Sequence, residues 1–123
     1  MNSIMSERTI NFDAVLDLCR NRQRRIVLAV LTDQQRPLTL RDLVEVVIKH
    51  NHHLSATAVS GDELSQVRLS LHHEHIPTLE AASVIDYDRD RGLVEPTERF
   101  DELQPSLSAV IEADPKLELP VEL

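Results

Sequence analysis

The sequence predicts a mainly α-helical fold that carries one small β-hairpin. Three observations predict it. Apolar residues recur at three- and four-residue spacing along most of the chain, the period of helices with one buried face. Thr39 with Asp42, and Ser60 with Glu63, are capping boxes: a hydroxyl that accepts from the backbone of a new helix, and a carboxylate three residues on that can answer it. Finally, Val84-Ile85-Asp86-Tyr87-Asp88 and Leu93-Val94-Glu95 flank Arg89-Asp90-Arg91-Gly92, strand residues on both sides of a turn whose glycine tolerates positive φ.

Taken in order, residues 1–11 read as a flexible arm. Phe12, Val15, Leu16, Leu18 and Cys19 mark a short helix over 12–20. Asn21 can cap a second helix over 22–33, whose buried stripe is Ile26, Val27, Val30 and Leu31. Helix three, about 40–50, starts at the Thr39 box with Leu38 stapled on Leu43, and buries Leu43, Val44, Val47 and Ile48. His50 to Val59 is a linker, longer than the turn of a strict helix-turn-helix. Val59 staples on Leu64 as the long helix, Ser60 to about Ala82, begins. The hairpin follows and Pro96 stops it. A last helix within 98–113 uses Leu103, Leu107, Val110 and Ile111, with Pro105 kinking it or starting its second half; 114–123 is expected to be a loose acidic tail. Short helices, then a long helix running directly into a two-stranded ribbon, is the order of a winged helix-turn-helix, here spanning 12–97.

Composition narrows the function. At 123 residues the chain suffices for one core, and with only Phe12, Tyr87 and Phe100 as aromatics that core must be aliphatic. The net charge of −8 disfavours indiscriminate phosphate binding, but residues 98–123 hold seven acids against two bases, so the acidity is concentrated at the end. Lys49 and Lys116 are the only lysines, an Arg-over-Lys balance resembling that of proteins from salt-loving organisms. One cysteine, Cys19, excludes an internal disulfide and a thiolate metal cage, and its apolar position predicts an inert buried thiol. Neither a signal pattern nor an apolar run of membrane length is present, so a cytoplasmic protein with no membrane partner is expected. The chain shows no phosphate-binding glycine loop, nucleophile motif or carboxylate pair, so it is read as a non-enzyme without a cofactor.

At ~100° per residue from Leu64, Val67, Leu71, His75, Leu79 and Ala82 form the apolar arc of the long helix, with Leu69 and Ile76 to one side. Gln66, Ser70 and His73 face the other way, one turn apart, as hydrogen-bonding groups suited to base edges in a major groove; the same face would equally serve as plain solvated surface. Glu74 and Glu80 lie beside them and would repel phosphate. Arg68 falls oddly within the apolar arc, which demands a partner across the core or an interface, a route to the domain edge, or a different phase for the helix. Arg22, Arg24 and Arg25 belong to the densest cationic cluster, while Arg89 and Arg91 tip the hairpin, where phosphates or a minor groove would be met. Local pairing with Asp88 and Asp90, or with Asp17 and the tail, is the alternative use of these cations. Six histidines (His50, His52, His53, His72, His73 and His75) raise the question of metal, but without a signature spacing; on this phasing His72 and His75 pack and His73 is exposed.

Four ordered motifs carry a resemblance. Residues 18–28 (LCRNRQRRIVL), 37–43 (PLTLRDL), 70–80 (SLHHEHIPTLE) and 84–92 (VIDYDRDRG) resemble a widespread haloarchaeal winged-helix domain family, largely uncharacterised and regarded as transcription regulators. The resemblance spans about 12–97 and implies a three-helix winged domain that binds DNA. Thr78 stands where Lys or Arg is usual in that family, and Ser83 where a glycine usually ends the helix. The expected function is therefore a regulator binding double-stranded DNA as a homodimer, paired through Leu103, Leu107, Val110 and Ile111 or through the N-terminal helix. Its alternatives are a protein-interaction module with a protein partner, or a regulator using the histidines to sense metal or pH.

Overall fold

The structure, a computed structural model, describes residues 12–52 and 60–117, apart from the side chains of 51 and 52. The arm expected over 1–11, the Val59 half of the staple, residues 53–59 of the linker expected over 50–59 and the last residues of the tail lie outside the described residues; residues 50–52 of that linker are helical instead.

Helix α1 covers 12–18. Helix α2 (Arg22–Gln34) starts where Asn21 accepts from the backbone N–H of Gln23 at 2.8 Å and of Arg24 at 3.4 Å. Strand β1 (Leu38–Thr39) leads into α3 (Leu40–His52), and the capping box closes in both directions: Thr39 N–H to Asp42 Oδ2 at 3.2 Å, Asp42 N–H to Thr39 Oγ1 at 3.0 Å. Ser60 Oγ accepts from Glu63 N–H at 3.3 Å and opens α4 (Gly61–Ser70). A π-helical turn (Leu71–His75) and α5 (Ile76–Ala81) complete the long helical segment. Strands β2 (Ile85–Asp88) and β3 (Leu93–Pro96) form the hairpin, and α6 (Glu98–Glu112) follows a Thr97 N-cap.

The sheet has three antiparallel strands in the order β1-β3-β2, with Leu38 opposite Val94 and Tyr87 opposite Val94 from the other side. The chain is thus mainly helical with a small three-stranded antiparallel sheet, one strand more than the sequence predicts. A two-residue strand has no local signature; β1 exists because β3 offers it a partner, and the bond from Leu40 N–H to Gly92 O at 3.0 Å ties the hairpin turn to the start of α3.

The interruption of the long helix has a covalent cause. Pro77 has no N–H to give the carbonyl four residues back, and its ring crowds that carbonyl. The wider turn over Leu71–His75 makes room, and Thr78 Oγ1 donates to the Glu74 carbonyl at 2.7 Å. The turn also re-phases the helix by roughly one residue, or ~100°: Glu74 faces solvent while His75, Ile76 and Leu79 are buried. Ser83 ends the segment at φ 63°, the left-handed conformation a glycine would adopt without strain, and Val84 N–H closes back onto Leu79 O at 3.2 Å.

Two expectations for the C-terminal region need correction. Leu103, Leu107 and Ile111 are buried in the protein's own core, where α6 packs on α2, and Val110 is half-buried against it. They are not available as a dimer face: a helix with one apolar stripe buries it against the nearest apolar layer, and α2 supplies that layer. Nor is the start of the tail loose. Asp114 pairs with Arg25 at 3.1 Å, and Leu117 is buried. Among the described residues no helix is long and apolar enough to cross a membrane.

Candidate nucleic-acid interface

Of the cations singled out in the sequence, the densest group turns inward. Arg24 is buried; its Nε donates to Leu18 O at 3.0 Å, its NH2 to Asp17 O at 3.2 Å, and its NH1 lies 3.4 Å from His75 Nδ1. Arg25 NH1 donates to the carbonyls of Cys19 and Arg20, and its Nε to Asp114. Arg22 NH2 donates to His50 O at 3.2 Å, a carbonyl in the last turn of α3. These guanidinium groups complete the C-terminal ends of α1 and α3, whose last carbonyls have no partner within their own helices. Arg22, Arg24 and Arg25 are therefore scaffold residues rather than a surface for phosphate.

Arg24 also fixes the state of His75. A guanidinium can only donate, so Nδ1 must carry a lone pair and the neutral ring must hold its proton on Nε2. Burial pushes the His75 pKa below its ordinary 6.5; Glu74 opposes the shift and Arg24 adds to it. Burial likewise pushes the Cys19 thiol up to about 11, with Arg25 and Arg24 partly offsetting it, which leaves it un-ionised and inert.

The other cations converge. A groove of about 830 Å³ runs between the exposed face of α4 with its π turn, the N-terminal end of α3 and the hairpin. Its lining includes the guanidinium-bearing Arg41, Arg68, Arg89 and Arg91, with Asp90 the one carboxylate residue. Ser65, Leu69, His72 and His73 form its helical wall. Asp88 Oδ1 accepts from the backbone N–H of Asp90 and of Arg91, both at 3.1 Å, so this carboxylate shapes the hairpin turn instead of pairing with the arginines. Arg89 NH2 reaches Glu80 at 2.9 Å, and its guanidinium carbon lies 5.4 Å from the Tyr87 ring centroid. Arg89 and Glu80 thus neutralise each other, Arg41 Nε likewise donates to Glu45 Oε1 at 3.4 Å, and neither Glu45 nor Glu74 is part of the groove lining.

The face presented by α4 differs from the one expected. Its buried arc centres near Val67 rather than on Leu64, which is only half-buried, a rotation of about 60°. That rotation brings Arg68 and Leu69 out of the apolar arc into the groove and turns Ser70 towards the core, half-buried. Of Gln66, Ser70 and His73, only His73 lines the groove; Gln66 is exposed outside it. His72 is exposed rather than packed, its ring edge-on to His73 at 4.9 Å and to Tyr87 at 6.1 Å, whereas His75 faces the core. The two do not share a face, and among the described residues no three His, Cys, Asp or Glu side chains are placed to hold a metal ion. Sequence phasing missed Arg41, Arg68, Leu69 and His72 as groove residues; the one available signal was Arg68, whose place in a supposedly buried arc marked the phase as wrong.

Fold and site together define a mainly helical domain with an arginine-lined groove between a helix and a hairpin. The chain belongs to the family described as domain of unknown function DUF7344, which it matches over residues 16–95. That span runs from within α1 through most of β3, so it contains every residue of the groove and leaves α6 outside. No curated protein and no solved structure matches the chain.

Proposed function

We propose that this protein is a DNA-binding transcription regulator of the winged helix-turn-helix type, with α4 and its π turn laid in the major groove and the β2–β3 hairpin as the wing. The observation that carries the reading is the groove: four arginines line it, and two of them, Arg68 and Arg91, have no carboxylate partner among the described residues, on a chain whose net charge is −8. A surface so far from the average sign of the molecule selects a polyanion. The order α2, β1, α3, long helix, β2, β3 and the strand order β1-β3-β2 fit a winged domain, as does the resemblance to haloarchaeal winged-helix regulators. A single domain reads few base pairs, which favours two copies on two half-sites. With α6 turned inward, Phe12 and Leu16, exposed one turn apart on α1, are the large apolar side chains outside the groove that are left for pairing among the described residues.

Fluorescence titration of labelled duplex fragments across a salt series tests the reading. Two to four phosphate contacts, depending on whether Arg41 and Arg89 leave Glu45 and Glu80, predict log K falling against log salt with a slope of about −2 to −4 per domain. Absence of saturable binding at any salt, or a slope near zero, overturns it and favours a protein partner for the same groove.

A further inference from the structure

Leu69 does not belong in the groove on electrostatic grounds. It follows Val67 by two residues and is therefore turned about 200° from it, pointing almost directly away from the core. It is 56% exposed, and outside α1 it is the one large apolar side chain so exposed among the described residues. Ser65 lies four residues before it and His73 four after, so the three make one stripe along the helix, with Arg68 beside it and Arg89 and Arg91 across the groove. An acidic peptide would satisfy the arginines and gain nothing from a central leucine. A purely apolar partner would cover Arg68 and Arg91 without supplying a counter-charge. The major groove of DNA offers both features at this scale: phosphates at its rims and, on its floor, a single apolar substituent, the thymine C5 methyl.

We propose that Leu69 is a specificity-determining residue that seats against the C5 methyl of one thymine, with Ser65 and His73 reading the base edges on either side. The inference rests on the DNA-binding reading above and goes beyond it by assigning one base and one residue. Removing the methyl without altering any hydrogen bond isolates the contact, because uracil differs from thymine only there.

The test begins with duplexes retained by the full-length protein from a random-sequence pool. Labelled copies of the selected duplex are then made with each thymine replaced singly by uracil. At one position the wild-type protein is expected to bind about fourfold more weakly, the effect of burying one methyl at about 0.8 kcal/mol. Leu69→Ala is expected to bind the thymine and uracil duplexes equally, with the salt slope and the urea midpoint of the wild type, because the side chain is exposed. A selected site without thymine, uracil tolerated at every position, or a fourfold preference retained by Leu69→Ala overturns the proposal while leaving DNA binding intact. A change in the sedimentation of the free protein on Leu69→Ala also overturns it, by making Leu69 a contact between copies. If no duplex is retained at any salt, the DNA-binding reading itself fails and this inference falls with it.

Discussion

Arg22, Arg24 and Arg25 crowd the first turn of α2, whereas Arg41, Arg68, Arg89 and Arg91 are scattered over two helices and a turn between positions 41 and 91. In sequence the first group looks like the cationic patch. In space it is the second that forms one. The start of a helix is the positive end of its dipole, an unfavourable place for cations, and α2 has no acid in its first turn to compensate. Arg24 and Arg25 are tolerated because the C-terminal carbonyls of α1, the negative end of another dipole, lie immediately before them in the chain, and Arg22 because it meets the C-terminal end of α3. Clustering along the sequence thus reflects a junction between helices. The groove arginines have no such neighbour in the chain; what gathers them is the sheet, through β1 and the bond from Leu40 to Gly92. Local density of charge marks local structure here, and convergent charge marks the outer surface.

The sharpest way to break this contrast is Arg24→Met, which keeps the apolar stem and removes the guanidinium. It leaves Leu18 O and His75 Nδ1 without the Arg24 donor in a buried setting, Asp17 O keeping the Arg20 N–H, and a loss of about 3 kcal/mol is expected in urea unfolding. At salt concentrations where the variant is folded, its DNA salt slope should equal that of the wild type. A stable variant with a reduced slope would place Arg24 with the groove cations and refute the division.

The opposite pattern is expected for Arg68→Gln and Arg91→Gln, both exposed and without an ion pair among the described residues. Each should leave stability within ~0.5 kcal/mol of the wild type. Each should weaken duplex binding about tenfold and make the salt slope shallower by about one. An unfolding midpoint that shifts while binding does not would show that these residues too are scaffold.

A pH series sharpens the contrast from the side of Arg24's partner. The folded pKa of His75 lies below its ordinary 6.5, so between the two values the unfolded chain binds the extra proton and the folded one does not. Stability is therefore fully present above about 6.5 and declines as pH falls from there towards the lowered value. His75→Gln retains an oxygen that can accept from Arg24 but cannot titrate, and it should remove this part of the decline. An unchanged pH profile in the variant would mean that burial beside Arg24 does not hold the His75 ring neutral in the folded protein.

Much of the frame was legible, and the parts that were not share a physical character. Asn21, Thr39 with Asp42, Ser60 and Gly92 act within three or four residues of themselves, and each does in the structure what its local chemistry predicts. Strand β1, the inward arginines and the inward stripe of α6 depend on partners far along the chain, which a single sequence does not reveal. The reading face on α4 failed for a subtler reason. Assigning Leu64 as the centre of the apolar arc misplaced it by about 60° on α4, whereas His75 and Leu79, beyond the π turn that offsets the shift, are buried as expected. Of the expected reading residues only His73 lies in the groove, yet the hairpin pair Arg89 and Arg91 was found, because a turn exposes its side chains whatever the phase of the helix beside it.

The smallest expected effect is also the most discriminating, because it concerns the one inward arginine that reaches the acidic end of the chain. Asp114 accepts from Lys116 N–H at 2.9 Å and from Arg25 at 3.1 Å, and these bonds, the Lys116 one foremost, hold its pKa below the ordinary 3.8 against the opposing effect of burial. The group therefore contributes stability above that ordinary value and loses the contribution as pH falls through the lowered one. Asp114→Asn keeps an oxygen for Lys116 and removes only the charge opposite Arg25. Destabilisation should be less than ~1 kcal/mol at neutral pH and should vanish in acid, where the wild-type carboxyl is itself neutral. The DNA salt slope should not change, since Arg25 NH1 remains engaged by the Cys19 and Arg20 carbonyls. A slope steeper by one in Asp114→Asn would show that the ion pair alone keeps Arg25 from phosphate, and the division between inward and groove arginines would not hold for Arg25.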